Sequence, residues 1–259
     1  MQLATFQKDR ALILYDAGRF CDGGKPAQGR ETATKHATAS DHLASPIPLE
    51  PRWFCPDYWR AHGTVTGEAP GRGASLFLEA PDRPDEQWVL RPYRRGGLIA
   101  RVNDSSYLWA GREGTRAFRE LRLTAALHAK GLPVPRPVAA GVWRRGLAYQ
   151  AALITVRLTG ARALADCLTS ADAALLERVG VTIRRFHDAG LDHVDLNARN
   201  LLIGPQGEVF MIDLDRCRLR APGRWQAGNL ARLERSLEKF ASAAAVPAIL
   251  AGYHGNTDA

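Results

Sequence analysis

Lysine is nearly absent from the middle of this chain. None occurs between Lys35 and Lys130, although the formal net charge is +8. Arginine supplies that excess. An Arg-for-Lys coding bias accounts for the choice of cation but not for the surplus of positive over negative charge. The surplus suits an anionic partner: a nucleotide, a phosphorylated lipid, a membrane surface or a nucleic acid. No apolar run is long enough to span a bilayer. Near the N-terminus only Ala11–Leu14 is apolar, too short for a signal-peptide core, so a cytoplasmic protein is expected. Cysteine is also sparse. Cys21, Cys55, Cys167 and Cys217 are scattered without metal-ligand spacing, and reduced thiols are expected. Large apolar side chains are missing from residues 23–40. Such a stretch buries too little surface to offset its ordering entropy, and a flexible insertion over about 21–52 is expected. No internal repeat is visible.

What the chain does have is concentrated late. His193, Asp195 and Asn200 form H-x-D-x-x-x-x-N, and Asp213 follows an apolar run eighteen positions after Asp195. Phosphoryl transfer needs these residue types in this order: a carboxylate to orient and deprotonate the attacking hydroxyl, then an amide and a second carboxylate to hold magnesium against nucleotide phosphates. Asp195 is the candidate base, and Asn200 and Asp213 are the candidate metal ligands. Leu201–Ile203 and Val209–Ile212 read as short buried strands around the turn Gly204–Gly207, a hairpin that would set Asn200 beside Asp213. A helix capped by Ser170 and running to about Asp188 is expected upstream, with Leu176, Val179, Ile183 and Phe186 on its buried face and Gly190 past its end. His193 reads as a structural brace of the loop. Asp215 is either a further ligand or a salt-bridge partner of Arg216 or Arg218.

The preceding region reads as a β-rich lobe. Ala11–Tyr15 is a candidate added strand, and Trp53, Phe54, Tyr58 and Trp59 are anchors that return the chain to the core. Gly71 and Gly73 lie in a Gly-rich turn before the apolar run Leu76–Leu78, where backbone amides can cover phosphates. Trp88–Arg91 is the next strand. Arg91 stands where kinases carry a phosphate-binding lysine, and a guanidinium can hold phosphate through two donors. Arg112–Lys130 is a helix with Phe118, Leu121, Ala125 and His128 on one stripe. Its Glu120 is the candidate brace for Arg91, with Glu113 as the fallback. Tyr149–Leu158 is a long strand, Thr159 and Gly160 a hinge, and Leu230, Leu233, Leu237 and Phe240 one face of a late helix. Arg91, Arg94, Arg95 and Arg101 form the densest basic cluster. No nucleic-acid-binding pattern accompanies it, and a phosphate-rich small or lipid substrate explains it better. The expected fold is α+β and two-lobed, with residues 1–52 an added strand and insertion, 53–158 a β-rich lobe with one main helix, and 159–259 a mostly helical lobe. Residues alone reach a small-molecule or lipid kinase that uses ATP and magnesium. A pseudokinase binding module and a kinase of cationic acceptors, such as aminoglycosides or choline, are the alternatives. The positive charge opposes the second and the intact acidic residues oppose the first.

Residues 88–98, 107–111, 115–120, 131–137, 212–218 and 229–239 together resemble the 3-deoxy-D-manno-octulosonic acid (Kdo) kinases, the lipopolysaccharide kinase branch of the protein-kinase-like fold. The resemblance covers about Trp53 to Phe240, and the insertion departs from it. It implies ATP-dependent phosphorylation of a Kdo hydroxyl, the 4-hydroxyl, on Kdo–lipid IV(A) in lipopolysaccharide core synthesis. It also implies a peripheral position on the anionic cytoplasmic face of a Gram-negative inner membrane.

Overall fold

The computed structural model describes residues 1–21, 47–69, 75–81, 83–93 and 107–255. In chain order its first elements are β1 (Leu3–Lys8), β2 (Ala11–Asp16), β3 (Phe20–Cys21), β4 (Ile47–Pro48), α1 (Pro56–Ala61), β5 (Val65–Ala69), β6 (Ser75–Ala80), β7 (Arg83–Pro92), β8 (Tyr107–Leu108), α2 (Arg116–Ala129), β9 (Pro137–Arg145) and β10 (Ala148–Val156). They are followed by β11 (Arg162–Ala163), α3 (Leu164–Cys167), α4 (Ala173–Asp188), β12 (Leu191–Asp192), β13 (Leu201–Ile203), β14 (Val209–Met211), β15 (Arg218–Leu219), α5 (Trp225–Lys239) and α6 (Val246–His254).

The first part is an eight-stranded sheet in the order β1-β2-β9-β10-β7-β6-β5, with β8 paired to β10. Every pairing in it is antiparallel. Both faces are covered, so the central strands are apolar runs rather than alternating ones. In β2, Ile13 and Tyr15 enter one cluster with Trp53, Phe54, Trp59 and Trp88, while Leu14 enters another with Phe118 and Leu121 of α2. The four aromatic anchors behave as expected from sequence: Trp53, Phe54 and Trp59 are buried and Tyr58 packs against them. Period-two alternation in β7 buries Trp88 and Leu90 in the tryptophan cluster, which turns Val89 and Arg91 to the α2 face.

The second part is helical, around one core that joins α4, α5 and α6 to the β13–β14 hairpin. Helices α4 and α6 meet backbone to backbone at two glycines. A Cβ on Gly180 would lie 1.9 Å from the Ile249 carbonyl oxygen, and one on Gly252 would lie 2.0 Å from that of Glu177.

Local expectations differ from the structure in several places. Asp172, not Ser170, caps α4: its carboxylate accepts from the Leu175 amide at 2.7 Å. The Ser170 hydroxyl instead donates to the Cys167 carbonyl at 3.1 Å. Leu127, not His128, completes the buried stripe of α2. Strand β1 and helix α6 are additions that the sequence reading did not place. The stretch read as an insertion is tied at both ends, because Phe20–Cys21 pairs in parallel with Ile47–Pro48, and Leu49 is buried. Residues 22–46 between those ends lie outside the described residues, as do Gly71 and Gly73 and the arginines at 94, 95 and 101.

Candidate active site

The site is built where the α2 face of the sheet meets the β13–β14 hairpin. Strand pairing and chain direction put its members there. Arg91 leaves the end of β7 toward α2, and Glu120 sits one turn into α2. The hairpin closes as the sequence suggests, with Leu201 opposite Met211 and Ile203 opposite Val209. Its open end is locked by the Ile212 amide donating to the Asn200 carbonyl at 3.0 Å, which sets Asn200 beside Asp213. Asp213 itself has a φ of 59°, a left-handed backbone that short polar residues tolerate better than bulky ones.

Arg91 is the hub. One guanidinium nitrogen donates to Asp213 at 2.5 Å, and another donates to Glu120. The second oxygen of Glu120 accepts from the Tyr93 hydroxyl, and the Arg91 guanidinium lies 5.0 Å from the Tyr93 ring centroid. Glu120 is only 4% exposed. Burial works against the Arg91 charge, but Glu120, the Tyr93 phenol and Asp213 outweigh it and hold the guanidinium protonated above the ordinary arginine range. Burial and the Glu120 carboxylate together push the Tyr93 phenol well above its usual value. Glu113, the fallback brace, pairs with Arg122 on the surface instead.

The loop from Asp195 to Asn200 is held by its own amides. Asn200 and Asn197 each donate to the Asp195 carbonyl at 2.9 Å, and the Asn197 side-chain oxygen accepts from the amides of Arg199 and Asn200. These contacts fix the loop while leaving the Asp195 side chain exposed. The His193 ring nitrogen Nε2 donates to the Ile212 carbonyl at 3.0 Å, and burial lowers its pKa, which keeps the ring neutral. His193 therefore braces the loop against the hairpin.

Asp215 meets one of its two expected partners, Arg216, at long range. Its closer partner is Arg116 of α2, whose Nε donates at 2.8 Å with a second contact through Nη2. Arg216 stands off at 3.7 Å. Arg218 goes to Asp192, which also takes Arg220 at 3.0 Å and Asn229 at 3.2 Å. Burial opposes the charge on Asp192, but these donors outweigh it and draw its pKa down. The Arg116 guanidinium also packs over Tyr107 and Tyr93. Sequence reasoning missed Tyr93, Arg116, Asn197 and Asp192. Two of them had a readable signal: Tyr93 is two residues along the strand from Arg91, and Arg116 is one helical turn before Glu120.

The donor set suits a hard divalent ion. Asp213 and Asn200 offer oxygen atoms, and the Asp213 side chain is 39% exposed. Among the described residues no group of three or more His, Cys, Asp or Glu is placed to hold an ion. Two protein oxygens would leave a magnesium-type ion to take its remaining ligands from phosphate and water. A strand cation braced by a buried helix carboxylate and set against a post-hairpin carboxylate is the division of labour in protein-kinase-like phosphotransferases, and the order of strands, helix, loop and hairpin is theirs too.

Sequence comparison narrows the class. The profile of the lipopolysaccharide kinase (Kdo/WaaP) family matches residues 56–253, and the chain belongs to that family. It is 47% identical over 189 residues to the 3-deoxy-D-manno-octulosonic acid kinase of Stenotrophomonas maltophilia, covering 72% of this chain and 74% of that protein. The kinase of the same name from Xanthomonas campestris pv. campestris is 48% identical over 189 residues, with the same coverage of 72% and 74%. That of Xylella fastidiosa is 44% identical over 200 residues, covering 76% of this chain and 78% of its own. The kinase PK-1 of Cydia pomonella granulovirus superposes on 62% of this chain, covering 55% of its own, at a TM-score of 0.42 and 11% identity, too weak a likeness to bear on the fold. The chain is a sugar or lipopolysaccharide kinase, and its family membership implies ATP as the phosphoryl donor.

Proposed function

We propose that this kinase transfers the γ-phosphoryl group of ATP to the 4-hydroxyl of a Kdo residue on Kdo–lipid IV(A), in lipopolysaccharide core synthesis at the cytoplasmic face of an inner membrane. The observation that carries the chemistry is the convergence of Arg91, Glu120 and Asp213 beside the braced Asp195–Asn200 loop. The acceptor reading is supported by the relatives' shared name. Asp195 takes the proton as the acceptor oxygen bonds to the γ-phosphorus. The bond from that phosphorus to the β-phosphate oxygen breaks, and ADP leaves. Arg91 turns its donors to the nucleotide phosphates while Glu120 keeps it in place. Asn200 and Asp213 would hold magnesium, which when bound would offset the phosphate charge. Peripheral contact with an anionic lipid surface fits the +8 charge. Among the described residues no helix is long and apolar enough to cross a membrane.

The test is incubation of purified protein with labelled ATP and Kdo-bearing lipid IV(A), beside free sugars and aminoglycosides. Label should enter the Kdo-bearing lipid, and phosphorus-coupled NMR should place it on the 4-oxygen. Transfer to aminoglycosides in preference to the lipid overturns the acceptor.

A further inference from the structure

The two most exposed large apolar side chains among the described residues are neighbours. Leu147 is 81% exposed at the turn between β9 and β10, and Leu108 is 78% exposed on β8. They are held together by the backbone: Leu108 pairs with Ala148, and the Trp109 amide donates to the Leu147 carbonyl at 2.9 Å. Gly146, with φ 61°, makes the turn that presents Leu147 outward. Nothing in the fold requires leucine at either place, since neither packs into a core cluster.

The surroundings are cationic and aromatic. An open basin of about 1130 Å³ beside this tip is lined by Trp109, Trp143, Arg10, Arg112, Arg144 and Arg145, with Asp9 the only carboxylate among the described residues there. The Arg144 guanidinium stacks 5.1 Å from the Trp109 ring centroid and donates to the Gly146 carbonyl at 2.9 Å, so it stiffens the tip. Arg112 has one stand-off carboxylate, Glu113 at 3.5 Å. Leucines at the point, tryptophans behind them and arginines around them are what a lipid interface rewards. The apolar tip enters the acyl boundary, indole sits at headgroup depth, and guanidinium meets lipid phosphate. A soluble phosphate ligand would give the leucines no role.

The patch is also wired to the active site. The Tyr149 hydroxyl, one strand residue from Ala148, accepts from the Arg116 amide at 3.0 Å, and Arg116 holds Asp215. We infer that the β9–β10 turn and β8 form the membrane-docking tip, with Leu108 and Leu147 inserted into an anionic bilayer and the arginine basin on its headgroups. This rests on the reading of the acceptor as lipid-borne, and it names the surface that reading requires.

Vesicle co-sedimentation of the full chain tests it. Wild type should pellet with vesicles of phosphatidylethanolamine and phosphatidylglycerol, much less with phosphatidylcholine alone, and less as salt rises. Leu108→Glu/Leu147→Glu, both at exposed positions, should keep the wild-type circular dichroism and lose binding at least tenfold. Its turnover on free Kdo should equal wild type, while its KM for vesicle-borne Kdo–lipid IV(A) rises at least tenfold. Wild-type vesicle binding by the double variant overturns the assignment, as does a wild type that ignores anionic vesicles. If no Kdo acceptor is phosphorylated at all but the variant still releases from vesicles, the acceptor reading fails and the docking surface stands.

Discussion

Removing the Glu120 carboxylate should loosen the site and the protein together. Glu120 is 4% exposed and serves two donors, Arg91 and Tyr93, the latter itself 6% exposed. Taking away one partner of a buried ion pair typically costs about 3–5 kcal/mol. The Arg91 side chain is 28% exposed and keeps Asp213, which places Glu120→Ala near the lower bound, about 3 kcal/mol. The orphaned Tyr93 hydroxyl adds roughly 1 kcal/mol. In a chain of this size that total lowers Tm by roughly 10 °C. Glu120→Gln keeps the shape and one acceptor oxygen and should cost about half as much. Without its brace Arg91 is drawn to Asp213, and the KM for ATP should rise about tenfold. Arg91→Ala should raise that KM further and lower turnover, and Arg91→Lys should retain part of the activity. Thermal melts and ATP titrations on the single and double variants complete the cycle, with a coupling energy above about 1 kcal/mol expected between the two positions. A Glu120→Ala melt within about 2 °C of wild type, with unchanged ATP kinetics, would refute the bracing role.

The other outcomes are more local. Asp195→Asn should retain ATP binding and lose roughly 10²–10⁴ in turnover, measured by single-turnover transfer, because the acceptor proton has no base. Asp213→Asn should raise the magnesium needed for half-maximal activity; Asn suits the φ of 59° there, so the effect reads ligand loss rather than backbone strain. Gly180→Ala should destabilise by about 1–3 kcal/mol in urea titration through collision with α6. Gly228→Ala in α5, where an added Cβ meets nothing within 4 Å, should stabilise by about 0.5–1 kcal/mol. Stability should also fall in acid through His187, whose pKa burial lowers to about 4. The unfolded ring binds a proton near pH 6.5 and the folded ring does not, so stability is full above 6.5 and declines toward pH 4, by up to about 3 kcal/mol. Urea midpoints across that range, with a flatter slope in His187→Phe, check the sign.

Much of this site was legible because its signals are local. The hairpin is announced by Gly204 and Gly207 between two apolar runs, and its register then fixes Asn200 beside Asp213. Strand alternation was enough to turn Arg91 toward α2. The helix caps and pairings of arginine were not legible, since several acceptors compete for each guanidinium and only packing chooses among them. Asp215 illustrates this. Of its sequence neighbours Arg218 turns to Asp192 and Arg216 reaches it only at 3.7 Å, while the residue that binds it closely, Arg116, comes from another element. Helix α6 escaped because its burial rests on Gly252 meeting α4 backbone, which leaves a short apolar segment with few polar boundaries.

The bond between Arg91 and Asp213 joins positions 122 residues apart, and that between Arg116 and Asp215 joins positions 99 apart. Contacts of such separation form only after long loops have closed, and that closure costs entropy before any contact repays it. During synthesis a chain grown as far as α4 already holds Arg91, Arg116 and Glu120 but lacks Asp195, Asn200 and Asp213. A nascent chain that stops short of Asp213 therefore lacks part of the proposed site.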